Sequence, residues 1–111
     1  MNEIREIVVS SDFSPFPAGR IPEDGDFNGQ VFRERFLVPA LRAAIASNGR
    51  VIVRLDGIKS CGSSFLESAF GGLIRDDGFQ KSEIRNHLQI KSDIKAHDRY
   101  ILAISRYVEK A

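Results

Sequence analysis

Three runs rich in β-branched and aliphatic residues alternate with segments whose apolar positions follow helical spacing. The runs at 4–10 and 50–56 predict two strands, since β-branched residues dominate them and polar or glycine residues follow. Leu88 and Ile90 alternate with polar residues in 86–91, which predicts a third, half-exposed strand. Because the second run holds four apolar residues, we expect that strand to be buried on both faces of its sheet.

The first predicted helix begins at Asn28, whose side chain is suited to cap free backbone N–H groups. Phe27 and Phe32 have the spacing of a hydrophobic staple around that cap. Pro39 interrupts the apolar stripe, so we expect a kink there or a second short helix that opens with the proline. The 17 residues before this helix are rich in proline and glycine and predict a long loop, with a short extended piece near 19–22.

Two more helices are predicted over 64–76 and 93–109. Ser64 and Glu67 have the spacing of a capping box at the start of the first of these. Its Gly71-Gly72 pair costs about 1 kcal/mol per glycine relative to alanine, so we expect a close approach of this helix to the sheet. Strands that alternate with helices indicate a single α/β domain over residues 1–111, with a small, mostly parallel or mixed sheet and about three to four helices.

Composition narrows the class of protein. The chain has 111 residues and one cysteine, so an intrachain disulfide is excluded. Its apolar runs are far shorter than the roughly 18 residues that a membrane span needs. The first six residues carry too many charges for a signal peptide. We therefore expect a cytoplasmic protein without a membrane partner.

Charge is distributed unevenly although the formal net charge is only +1. Residues 1–30 carry six acidic and two basic side chains, whereas residues 81–111 carry seven basic and four acidic ones. The difference fits either ordinary solvated faces or a surface shaped for a charged partner. We do not expect nucleic acid as that partner, because only Tyr100 and Tyr107 lie among the bases to stack on nucleotides.

No catalytic set is evident in the sequence. It has no phosphate-binding loop, no dinucleotide fingerprint and no metal-ligand spacing. His87 and His97 stand alone, and the adjacent Asp76 and Asp77 cannot face each other as an acid–base pair. We expect no cofactor, no metal and no enzymatic activity.

The densest group of small polar residues, 60–67, lies where the second strand passes to a helix. The carboxyl ends of parallel strands are where ligands and partners commonly bind. One interpretation is that Ser64 only caps the helix and Ser63 is exposed loop. Another is a functional serine, because a helix start stabilises a phosphate on an adjacent hydroxyl. A third is a sensor or enzyme that uses Cys61 as a thiolate with a lowered pKa.

Several motifs resemble the STAS-like domain family of otherwise unknown function. The first are Val-Ile-Val-Arg-Leu-Asp-Gly at 51–57 and Ser-Ser-Phe-Leu-Glu-Ser-Ala-Phe-Gly-Gly-Leu at 63–73. Upstream, Pro-Ala-Gly-Arg at 17–20, Glu-Asp-Gly at 23–25 and Gly-Gln-Val-Phe-Arg at 29–33 also resemble it. More distantly, the chain is similar to the STAS domains of bacterial anti-sigma-factor antagonists.

The resemblance implies a regulatory protein-binding module whose partner is an ATP-binding, kinase-like protein of the anti-sigma type. ATP would belong to that partner. In the antagonists the partner phosphorylates a serine at the start of the helix, and Ser63 falls on that position. Gly62 and Phe65 replace the usual aspartate and glycine, so a constitutive interaction domain without a covalent switch is the alternative. Candidate partner-binding residues are Arg20, Asp24, Asp56, Ser60, Gly62, Ser64, Phe65 and Glu67.

Overall fold

A computed structural model describes residues 3–111 and contains one sheet of three parallel strands. The strands are β1 (Ile4–Val8), β2 (Arg50–Arg54) and β3 (Leu88–Lys91), and they lie side by side in that order. The predicted α/β fold with a small parallel sheet is confirmed. The first two strands end two residues earlier than the sequence pattern suggested, because the chain turns into a π-helical turn after β1 and a tight turn after β2.

One face of the sheet is more deeply buried than the other. On that face Ile7 pairs with Val53 and Val53 pairs with Ile90, and both Ile7 and Val53 are buried. On the other face Glu6 is exposed and its neighbour Ile52 is half-buried. The expectation that β2 is buried on both faces is therefore wrong. Charged and polar side chains on the flanking strands keep the second face in contact with solvent.

Helix α1, residues 29–47, is continuous and consists of the segments Gly29–Phe32, Arg33–Leu37 and Val38–Ser47. The expected cap is confirmed, since Asn28 Oδ1 accepts a hydrogen bond from the Val31 N–H at 3.0 Å. Pro39 does not break the helix. The middle segment is π-helical, and this wider turn accommodates a proline that lacks an N–H for the regular pattern.

Aromatic rings pack around the start of α1, but they do not form the expected staple. The Phe27 ring contacts Phe13, with centroids 5.4 Å apart, and Phe13 contacts Phe32 at 5.1 Å. Phe13 comes from a π-helical turn, Val9–Phe13, that follows β1. The long loop also contains a 3₁₀ turn at Pro22–Asp24, directly after the extended residue Ile21 in the region where a short extended piece was expected.

Helix α2, residues 63–75, consists of Ser63–Leu66, a π-helical Glu67–Gly71 and Gly72–Arg75. The predicted close approach exists, but it is to other helices and not to the sheet. A Cβ at Gly71 would lie 3.5 Å from the Tyr107 carbonyl oxygen, and one at Gly72 would collide with Arg33. The predicted capping box between Ser64 and Glu67 does not form, because Gly62 occupies the cap position.

The C-terminal third differs most from the sequence expectation. A short helix, α3 (Lys81–His87), precedes β3, and its single buried residue, Ile84, is too little for a periodic signal. Helix α4 (Asp98–Lys110) starts five residues later than expected, after a 3₁₀ turn at Lys95–His97. None of the helices in residues 3–111 has both the length and the apolar run to cross a membrane.

Candidate functional site

Ser63 occupies the first turn of α2, just beyond the carboxyl end of β2. Its side chain is exposed, whereas Ser64 is half-buried and Phe65 is only 1% exposed. Phe65 packs with Phe13 and Phe32 in the aromatic cluster. Phe65 therefore belongs to the core, and the candidate role as a partner contact is wrong for this side chain. Ser63 is the exposed residue of this turn.

The start of α2 has no side-chain cap. Gly62 stands at the cap position with φ −72° and ψ 143°, and no side chain accepts from the first turn. The first backbone bond of the helix runs from the Leu66 N–H to the Gly62 carbonyl oxygen at 3.2 Å. The N–H groups before it point out of the helix end beside Ser63, where they carry partial positive charge.

The proline-rich loop flanks this turn on one side. The Gly62 N–H donates to the Pro17 carbonyl oxygen at 3.3 Å, and the Lys59 N–H donates to that of Pro15 at 2.7 Å. Ser60 is exposed on this strip, and its N–H also donates to Pro15, at 3.4 Å. Between the two prolines, Phe16 is 60% exposed. The loop thus presents an aromatic ring to solvent beside the exposed serines.

Helix α4 flanks the same turn on the other side. A cavity of about 220 Å³ lies between them, and its lining includes Ser63, Cys61, Arg99 and Tyr100. The Arg99 guanidinium lies 4.8 Å from the centre of the Tyr100 ring and donates to the Tyr100 hydroxyl at 2.9 Å. The sequence analysis missed Arg99. A single exposed arginine on a helix carries no pattern, and only the packing of α4 on α2 brings it to this cavity.

Glu67 links α2 to the loop and to its own last turn. Its carboxylate accepts hydrogen bonds from Arg20 at 2.5 Å and from Arg75 at 2.6 Å. The bond from Arg75 and then that from Arg20 hold the pKa of Glu67 below its ordinary value, against the opposing effect of burial. A Cβ at Gly71 would lie 2.5 Å from Glu67 Oε2, so the glycine leaves space for this carboxylate.

Arg20 and Asp24 pair locally, though not through their two side chains. The Asp24 carboxylate accepts from the Arg20 N–H at 2.9 Å and from the Ile21 N–H at 3.3 Å. The Arg20 carbonyl oxygen in turn accepts from the Ser68 hydroxyl at 2.9 Å. The bonds from Arg20 to Glu67 and from Ser68 to Arg20 fix the loop against α2.

Asp56 connects the ends of β2 and β3. Its carboxylate accepts from the Asp93 N–H at 2.8 Å, from the Ser92 hydroxyl at 3.1 Å and from Arg54 at 3.1 Å. The Asp93 N–H is the largest cause of the lowered pKa of Asp56, and burial opposes it. Asp56 therefore has a structural role in holding the turn after β3.

The cysteine and the histidines have no catalytic setting. Burial raises the pKa of the Cys61 thiol to about 12, which argues against the third interpretation, a sensor or enzyme with a reactive thiolate. His87 Nδ1 lies 2.8 Å from the Gly49 carbonyl oxygen, and His97 Nδ1 lies 2.7 Å from Ser92 Oγ. The His97 ring is buried, and His87 is half-buried.

Comparison with protein families matches residues 28–95, more than half of the chain, to the STAS-like domain of unknown function (DUF4325). The chain belongs to this STAS-like family. Searches of curated proteins and of solved structures give no match. The STAS-like match runs from the cap of α1 through β2 and α2 to the turn before α4. It includes Ser63 and Glu67 but neither Arg20 nor Arg99, so the two flanks of the site lie outside it.

Proposed function

We propose that this STAS-like domain is a non-catalytic regulatory module that binds another protein and is switched by phosphorylation of Ser63. The observation that carries the proposal is the exposure of Ser63 in an uncapped first helical turn, between the proline-rich loop and α4. The partner is an ATP-binding, kinase-like protein of the anti-sigma type, and ATP binds to that partner. Such a module works in the bacterial cytoplasm.

The physical basis of the switch is electrostatic. Phosphorylation adds about two negative charges at neutral pH. A partner that docks across the strip formed by residues 15–17 and 60–63 would have to remove water from those charges. Because the helix end and Arg99 lie beside Ser63, this chain also stabilises the phosphorylated form by itself. Both effects favour release of the partner.

The test starts with the protein isolated from its own cells and analysed by peptide mass. We expect phosphate on Ser63. The tagged variants Ser63→Asp and Ser63→Ala are then compared for recovery of a co-purifying ATP-binding protein. Recovery should fall at least tenfold with Ser63→Asp and persist with Ser63→Ala. Ser82→Asp is the matched control, because it adds the same charge to an exposed serine in α3, outside the proposed docking strip.

A constitutive docking module is the second candidate. Gly62 in place of the aspartate of the antagonists favours it, and so does the exposed Phe16 ring beside the serines. In that case peptide mass analysis finds Ser63 unmodified under several growth conditions. Ser63→Asp then recovers the partner as well as the unaltered chain does, while Phe16→Ser loses it.

A further inference from the structure

A groove runs along the outer edge of β3, on the opposite side of α4 from Ser63. In residues 3–111 no strand pairs with this edge. The groove has a volume of about 240 Å³ and lies between α3, β3 and α4. Its apolar lining residues are Ile84, Leu88, Ile90, Ile101, Ile104 and Val108.

The backbone of β3 leaves hydrogen-bonding groups free along this edge. The Lys91 carbonyl oxygen accepts from the Leu55 N–H at 3.0 Å, so Lys91 directs its backbone groups toward β2. The backbone N–H and C=O groups of successive residues point to opposite sides of a strand. Those of Leu88 and Ile90 therefore point away from β2. The Leu88 N–H donates to the Ile84 carbonyl oxygen and is satisfied. The Ile90 N–H, the Ile90 carbonyl and the Leu88 carbonyl are therefore available to hydrogen-bond a further strand.

The side chains beside this edge are only partly covered. Leu88 and Ile90 are half-buried, whereas their partners in β2, Val51 and Val53, are fully buried. On α4, Leu102 is 53% exposed next to the lining residue Ile101. An added strand with alternating apolar residues would cover this surface, as sheet edges do when they bind extended peptides.

The charges around the groove indicate what kind of peptide could bind there. A neighbouring cavity of about 400 Å³ at the start of β3 is lined by Arg50 and Arg85, and Lys91 lies at the other end of the strand. Among the residues that line these two cavities, the one carboxylate is that of Glu109, which already pairs with Arg85 at 3.3 Å. A second copy would bring the same cations to this edge, whereas acidic residues would complement them.

We propose that the outer edge of β3 binds an extended segment of a partner protein as a fourth strand, with alternating apolar residues in the groove and acidic residues at its ends. This surface is separate from the one around Ser63 and does not depend on the proposed phosphorylation. Free strand edges are effective templates for such pairing, and the half-buried Lys91 with the exposed Arg50 and Arg85 discourages pairing between identical copies.

The probe is the synthetic peptide acetyl-Asp-Glu-Val-Thr-Val-Asn-Ile-Asp-Glu-amide, titrated into the full chain and followed by NMR. We expect saturable binding and slower hydrogen exchange of the Ile90 amide, which becomes at least tenfold protected. The same peptide with lysine in place of its acidic residues should bind at least tenfold more weakly. The exchange signature distinguishes strand addition from loose apolar contact.

Two variants test the geometry. Ile90→Pro removes an outward N–H, a change that edge strands tolerate, and should abolish peptide binding. Ser105 is an exposed residue of α4 that lines the groove, so Ser105→Trp should fill the groove and block the peptide without changing the backbone of β3. This variant is the test if the proline variant fails to fold. Circular dichroism and the unfolding midpoint establish that each variant is folded.

Three results would overturn the proposal. The first is absence of saturable binding by the acidic peptide. The second is equal binding of the acidic and lysine peptides without protection of Ile90. The third is self-association in sedimentation experiments that Ile90→Pro abolishes, since a second copy would then be the occupant.

Discussion

The guanidinium of Arg33 in α1 fills the space that a side chain at Gly72 in α2 would need. Arg33 is 6% exposed, and its Nη1 donates to the Ser68 carbonyl oxygen. Its Nε lies 2.8 Å from the Asp77 carboxylate. A Cβ built at Gly72 would meet Arg33 Nη1 well inside van der Waals contact. Gly72 therefore allows a buried cation between two helices.

We expect Gly72→Ala to destabilise the protein by about 1–3 kcal/mol, the usual cost of overpacking. The sign of the change in the free energy of unfolding is informative, because helix propensity alone would make alanine about 1 kcal/mol more favourable than glycine. Urea unfolding measures the difference. Gly62→Ala is the control, since a Cβ there would come no nearer than 3.8 Å to Ala18. A stabilised Gly72→Ala protein would show that Arg33 moves aside at little cost.

Arg20→Gln should loosen the proline-rich loop and leave global stability almost unchanged. The Arg20–Glu67 pair is half-exposed, and such pairs contribute about 1 kcal/mol or less. Hydrogen exchange should accelerate in residues 18–30, while the free energy of unfolding should change by less than about 1 kcal/mol. Arg5→Gln, which removes an exposed pair with Glu3, is the matched control. Unchanged exchange in the loop would mean that the Asp24 and Ser68 bonds hold it without the ion pair.

Acid should destabilise the fold partly through Asp56 and Glu67. Both have a pKa lowered by folding, so their contribution is complete above the unfolded values, near about 4. It is lost as the pH falls through the folded values. We expect Asp56→Asn to lower the unfolding midpoint at pH 7 and to flatten its dependence on pH below 4. Asp26→Asn, at an exposed loop carboxylate, should leave the pH curve parallel to that of the unaltered chain.

The thiol of Cys61 should react slowly. With a pKa of about 12, it holds far less thiolate at pH 8 than free cysteine does. Iodoacetamide labelling of the folded chain, monitored by mass spectrometry, should be at least tenfold slower than labelling of free cysteine. The urea-unfolded chain should regain the ordinary rate. Rapid labelling of the folded protein would restore the thiol-sensor hypothesis.

Local pattern was sufficient for the order of the main elements. The β-branched runs located β1 and β2, and Asn28 located the start of α1, because each signal depends on adjacent residues. The short α3 was missed because it buries only Ile84. The exposed face of β2 was missed as well, because the burial of Ile52 depends on its neighbours in other strands.

The candidate site, like the fold, was predictable only where the signal lies in adjacent residues. The motif placed Ser63 at a helix start, and the structure leaves its hydroxyl exposed there. The roles of Glu67 and Asp56 needed the structure, since their partners are distant in sequence or lie in backbone groups. The sequence predicts a capping box for Glu67, but its carboxylate instead accepts hydrogen bonds from two arginines, one on each oxygen.

The glycine pair also constrains the order of folding. An isolated helix as short as α2 is marginal in water, and two central glycines weaken it further. We therefore expect the segment to depend on packing against α1, where Arg33 occupies the space above Gly72. On that expectation the turn that presents Ser63 becomes ordered only with this packing, and a partly unfolded chain does not present it. Modification of this serine would then report that the whole domain has folded.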